Sequence, residues 1–213
     1  MRSLASATFE TKDLMLNGES GNLRQWRTTD DDLVSLTYFD KPPDIKASLD
    51  DIDALRAGYR AIAARAGGAA LEIDVVSVDG CRGVRLILKV PQAPTGIVYI
   101  GSLTLPFRDF SYVVRVQCAE GGLSGVRDTI ILAELIKTGE VKFDDGQNQP
   151  TGWWTDPYDP LVGGPPARNL SELPRYDARF PNHALSRLRR ILPHIEATLR
   201  LAEDVKAEQR FGE

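Results

Sequence analysis

Few residues in this chain combine the type and spacing that chemistry requires. The histidines His183 and His194 are eleven residues apart. On one continuous helix that spacing gives nearly the same azimuth but about 16 Å of axial separation, too far to share a metal ion. Pro193 lies between them and calls for a kink or two helices, so surface imidazoles are the expectation. Cys81 and Cys118 have neither a C-x-x-C partner nor a nearby histidine, which argues against thiolate metal binding. They read as two small buried apolar side chains, and spacing leaves open whether they pair. Asp30-Asp31-Asp32 reads as a hairpin loop, and Asp50-Asp51-x-Asp53 as negative charge at a helix start. Neither has the spacing of a calcium loop. No G-x-S-x-G elbow or phosphate loop occurs, and the prolines of GGPPARN remove the successive N–H donors that would cradle phosphate.

Two stretches remain as candidate binding surfaces. In GWWTDPYDP, Gly152 to Pro160, neighbouring tryptophans on an extended chain point to opposite sides. Either Trp153 and Trp154 both fasten the loop, or one pins it and the other faces a partner. In SLTLPFRDFSYVVRVQC, Pro106 cannot extend a ladder and Arg108-Asp109 suits a surface turn. There Phe107 and Phe110 fold back over the sheet end, or the turn is a recognition tip. If the two stretches met, Arg108, Asp109, Asp156, Tyr158 and Asp159 would line one pocket with Trp154 as a stacking wall. Arg108 would hold an anionic group, and a carboxylate buried beside the rings would serve as acid or base. The candidate binding residues are therefore Phe107, Arg108, Asp109, Trp153, Trp154, Asp156, Tyr158 and Asp159. No catalytic residue, metal or cofactor is assigned.

The chain has 213 residues, 42% hydrophobic and 26% charged, enough for one generous domain with a large core. A net charge of −4 lacks the electrostatic footprint of a nucleic-acid binder. MRSLASATFETKDL has no apolar stretch of the kind an export signal needs. No run approaches the roughly 20 apolar residues that span a bilayer, so a soluble cytoplasmic chain is expected.

LRQWRT and LVSLTYFD form a hairpin across residues 29–32. Ser48 is expected to cap a helix whose apolar face is Leu49, Ile52, Leu55, Tyr59, Ile62 and Ala66, ending at Gly67-Gly68. Four strands follow with short links, which makes them antiparallel. SGVRDTIILAELIKTG reads as a second helix with Ser124 as its N-cap and Gly139 just past its end, strand being the lesser alternative for its β-branched TIIL core, and its encircling apolar residues predict deep packing on the sheet. Residues 140–182 are dense in proline, glycine and aspartate, and a terminal helix extends from His183 to about Glu208. The fold class is α+β: an antiparallel sheet of about six strands flanked by helices, an α/β/α sandwich with a long C-terminal loop and a terminal helix. Residues 1–139 supply the sheet and two helices, and 140–213 an extension packing on the same domain.

The order strand–strand–helix–four strands–helix over about Phe9 to Gly139, with IDVVSVDGCRGVRLILKV as its most telling piece, resembles the PsbP-like α/β/α sandwich. That group includes a Ran-binding nuclear import factor and the EagR chaperones of bacterial type VI secretion. The resemblance implies protein binding without a shared catalytic centre. The first reading is a non-catalytic protein-binding module of a bacterial cytoplasm, a chaperone or immunity partner of a secreted effector. The alternative is a small-ligand binder or enzyme with its pocket under the Trp153-Trp154 loop. A third is a symmetric dimer formed through the C-terminal apolar stripe.

Overall fold

The period-two runs become strands in the computed structural model, which describes residues 2–45, 47–122, 124–143 and 149–212. They are β1 (Ala7–Thr8), β2 (Met15–Ser20), β3 (Leu23–Arg27), β4 (Leu33–Phe39), β5 (Ala69–Val78), β6 (Cys81–Pro91), β7 (Ile97–Pro106), β8 (Ser111–Ala119) and β9 (Arg200–Leu201). β2 to β8 form one antiparallel sheet in the order β2-β3-β4-β8-β7-β6-β5, while β1 and β9 pair by themselves. After β4 the chain crosses through α1 (Ile52–Arg65) to the far edge, and three hairpins walk back until β8 meets β4. Asp79 and Gly80, both at positive φ, make the β5–β6 turn, a conformation whose twist matches paired strands.

The sheet has seven strands, one more than the sequence pattern suggests. MLNGES lacks clean alternation, so β2 is defined by its pairing with β3 across a bulge between Leu16 and Gly18.

One sheet face is covered by α3 (Ala184–Thr198). Leu185, Leu188, Leu192 and Ile195 pack on Val34, Leu36, Leu103, Val114 and Val116. The helix comes so close that a Cβ added at Gly101 would lie 2.9 Å from Leu192 Cδ2. α3 is one helix through Pro193, not two, and it ends at Thr198 rather than near Glu208. Each buried leucine or isoleucine contributes about 1.5–3 kcal/mol, which together outweighs the roughly 3 kcal/mol cost of an internal proline. Beyond it the chain turns into β9 and the short α4 (Glu203–Lys206) instead of continuing as helix. The apolar stripe considered for dimerisation is thus spent inside the chain.

The opposite face is covered by α1 over β5 and β6 alone. Ala63 meets Ala70, Ile73 and Leu86, and Leu55 meets Leu49 and Val84. Asp51, not Ser48, caps this helix and accepts the Ala54 N–H at 2.9 Å. Ser48 instead accepts from Asp50 N–H, holding the approach turn. The buried stripe runs through Leu55 and Ala63, leaving Ile62 52% exposed.

α2 (Val126–Thr138) starts from Gly125, which has a left-handed backbone, rather than from Ser124. It does not pack deeply on the sheet. Its buried Ile131 and Leu135 meet Val141, Trp153 and Tyr176, while Val126, Ile130 and Ile136 remain exposed. Cys81 and Cys118 are free and buried, and burial pushes the Cys118 thiol well above its ordinary range.

Two glycines separate close approach from wasted flexibility. A Cβ at Gly68 would lie 2.0 Å from the Lys89 carbonyl oxygen, whereas one at Gly58 in α1 meets nothing within 4 Å. Gly68→Ala should lower the unfolding free energy by about 3 kcal/mol or more in urea titration. Gly58→Ala should raise it by about 1 kcal/mol.

Candidate functional site

The turn after β7 is a clasp. Phe107 N–H donates to the Phe110 carbonyl at 2.9 Å, and the two rings stack with centroids 4.5 Å apart. Phe107 is wholly buried, so it presents no ring to a partner. Arg108 pairs with Asp109 at 3.0 Å, and its guanidinium also bonds the Gln209 side chain. Arg108 N–H donates to the Gln209 carbonyl at 3.1 Å, and the Arg210 guanidinium lies over the Phe107 ring. The charged pair therefore borders the seam between this turn and the C-terminal segment.

The tryptophan loop fastens other elements. Trp153 is 3% exposed among Ile131, Leu135, Val141 and Tyr176. Trp154 meets it edge-on at 6.5 Å and packs against the same cluster. Asp156 and Asp159 hold Arg60 of α1 at 3.0 and 3.3 Å. The Tyr158 hydroxyl accepts the Ile73 N–H on the edge strand β5, and Arg56 lies over its ring. Burial raises the Tyr158 pKa, keeping the hydroxyl neutral. These residues staple the tail to α1 and β5. Arg108 and Asp109 border the C-terminal seam, whereas Asp156, Tyr158 and Asp159 hold α1 and β5, so the described contacts do not bring the two groups together as the alternative reading required.

The interior holds a polar network that the sequence reading missed. Glu172, fully buried, accepts from Lys89 Nζ at 2.7 Å, the Asn169 N–H at 2.8 Å and the Tyr99 hydroxyl at 3.0 Å. Asp128 of α2 accepts from the Ser171 hydroxyl and from Asn169 Nδ2. Arg127, also buried, donates to the Ser171 and Leu173 carbonyls, Asp177 and Ser186. Arg189 of α3 joins Glu72, Asp177 and the Glu172 carbonyl. The sequence held two signals for this network. One is the capping-box spacing of Asn169 and Glu172 around a 3-10 turn; the other is Lys89, a charge in an alternating strand whose flank only the tertiary packing turns to the interior. Because Glu172, Arg127 and Arg189 each reach residues of more than one element, the network clamps α2 and the tail onto the sheet.

His183, expected at the surface, is largely buried as the α3 cap. Its Nδ1 accepts the Leu185 N–H, and its Nε2 lies 3.1 Å from Glu120. Both ring nitrogens of His183 are committed, and the pair lines one side of a cavity of about 500 Å³. Burial acts to raise the Glu120 pKa, but His183 and two backbone N–H groups bring it below the ordinary carboxylate value. His194 is exposed, 3.4 Å from Glu10.

What the fold leaves accessible is the rest of the α1-side face. Over β3, β4, β8 and β7 no helix covers it among the described residues. Alternation and register place Gln25, Ser35, Arg115 and Ser102 in one row across it. Thr37, Val113 and Thr104 form the row on one side, and Leu33, Gln117 and Ile100 the row on the other. Tyr59 and Ile62 of α1, with Pro42 and Pro43, wall a groove of about 450 Å³ along it. The outward positions of these four strands carry no carboxylate. Arg115 is exposed at the centre and, among the described residues, makes neither an ion pair nor a hydrogen bond.

Among the described residues, no three His, Cys, Asp or Glu side chains are placed to hold a metal ion, and no helix is long and apolar enough to cross a membrane. No protein-family model matches the chain, and no curated protein matches it either.

Two predictions test the clamp. Lys89→Met strands a buried carboxylate and should cost about 3–5 kcal/mol, and adding Glu172→Gln should recover part of that loss in a denaturation double-mutant cycle. Burial chiefly, helped by the Glu172 charge, raises the Asp128 pKa. An acid with a raised folded pKa penalises folding above that pKa and loses the penalty as pH falls through it. At position 128 an asparagine amide can donate to Ser171 Oγ, whose proton then goes to Asn169 Oδ1 at 2.7 Å. Asp128→Asn should therefore match or exceed wild-type stability at neutral pH, with its relative advantage shrinking on acidification, as read by thermal melts across pH.

Proposed function

We propose that this protein is a non-catalytic protein-binding module, and that its partner docks on the uncovered sheet face beside α1. The observation that carries this reading is the half-empty layer itself: four strands of a seven-stranded sheet lie open next to an apolar helix wall. A solvated antiparallel face is ordinarily polar. Here Leu33, Ile100 and Val113 share it with hydroxyls and an arginine, the mixture found at non-obligate interfaces. The ionisable groups of the interior support the same reading, because they are engaged with one another. The ground under Trp153, where a ligand pocket was the alternative, is filled by Ile131, Leu135 and Tyr176. The resemblance to the PsbP-like sandwich supports a bacterial cytoplasmic chaperone or immunity partner of a secreted effector as the biological role.

A photoreactive amino acid placed singly at Thr37, Ser102 or Gln117, with Glu203 on α4 as the control site, tests the reading in native lysate. The expected result is one common partner captured from the three face positions, not captured from Glu203, and lost when Thr104→Trp fills the groove. Capture that is equal at Glu203, or insensitive to Thr104→Trp, would refute the docking surface.

A further inference from the structure

We propose, resting on that reading of the open face, that the docked segment is an acidic amphipathic helix lying beside α1 and pairing its carboxylates with Arg115. The geometry sets the shape of the occupant. Strands are spaced about 4.8 Å apart, so the uncovered β7, β8 and β4 offer a strip matching a helix of about 10–12 Å diameter. α1 already occupies the neighbouring strip on β5 and β6, so a partner helix alongside it would complete the layer, in the helix-in-groove mode. Ile62, Tyr59, Ile100 and Val113 supply the apolar contacts for one flank of such a helix.

Charge sets its chemistry. The chain has 30 acidic and 26 basic residues, yet the outward positions of β3, β4, β7 and β8 carry only Arg27 and Arg115 as charges. Arg27 is answered by Asp31 at 2.6 Å. Arg115 is not answered by any of the described residues, and its cross-strand neighbours Ser35 and Ser102 are small enough to leave its fork of donors open. Asp44, in the loop bordering the groove, already has an interaction of its own. A planar guanidinium presented this way matches a carboxylate bidentately, and the α1 wall shields the pair from solvent on one side. A polyanion fits less well, since nucleic acid rewards many phosphate contacts and this groove offers two cations without a carboxylate partner among the described residues, Arg115 on the sheet and Lys41 at the rim over the Phe39 ring.

The test uses fluorescein-labelled 18-residue helical peptides with one leucine-alanine face and a polar face of glutamate, glutamine or lysine, read by anisotropy against the full chain. The glutamate peptide should bind about tenfold or more tighter than the glutamine peptide at low salt, and the lysine peptide weakest. Arg115→Gln should remove most of the glutamate advantage, leaving only what Lys41 supplies, Arg115→Lys should keep more of it, and added salt should shrink it. Thr104→Trp should abolish binding of all three peptides. Glutamate and glutamine peptides binding alike, or an unchanged preference in Arg115→Gln, would overturn the acidic assignment while leaving the docking face standing. A single-stranded oligonucleotide binding tighter than the glutamate peptide would overturn it as well. Peptide binding that survives Thr104→Trp, or no binding of any peptide, would count against the face itself.

Discussion

The buried Glu172 carboxylate is the constraint on which the rest of the arrangement depends. An ion taken out of water costs several kcal/mol unless its lone pairs are met, and here a lysine, a tyrosine and a backbone N–H meet them. Lys89 stands on β6 and Tyr99 on β7, while Glu172 belongs to the tail. One carboxylate thus joins the sheet to a segment more than seventy residues away in sequence. Arg127 and Asp128 extend the same network into α2, which has little apolar surface on the sheet and takes its seat from the tail.

This way of holding α2 explains the lopsided layering. A helix placed by a polar clamp at the flank does not fill the second layer, so α1 is left to cover its face over two strands. The α3 side is closed by leucines that approach the backbone at Gly101. The α1 side keeps an open strip because β7, β8 and β4 turn short hydroxyl, amide and branched side chains toward it, with Arg115 at the centre. An antiparallel sheet tolerates such a face in water, so the opening brings no loss of fold and is free for a partner.

The aromatic tail also finds its place in these terms. Trp153 is buried in the small core beneath α2, and Tyr158 meets the exposed backbone of the edge strand β5. Covering a sheet edge removes a template for unwanted pairing. Residues conspicuous in sequence for their binding chemistry are thereby used to hold the chain to itself, and an arginine in an ordinary alternating strand is what faces outward.

Much of the fold was legible locally. The four antiparallel strands with short links, the turn at Pro106 to Asp109 and the helix stop at Gly67 follow from backbone sterics and period, which act within a few residues. β2 was not legible, because its pairing with β3 and not its own pattern defines it. Nor was the unbroken α3, where burial against the sheet overrode the local cost of Pro193. Of the candidate site, the sequence by itself determined which side chains could bind or titrate. Only the tertiary structure decided that Phe107 and Trp153 are buried, that Asp156 and Asp159 are paired with Arg60, and that Arg115 stands unanswered among the described residues. The reason is physical: burial and charge pairing are sums over neighbours brought together by long-range packing, and no local spacing encodes them.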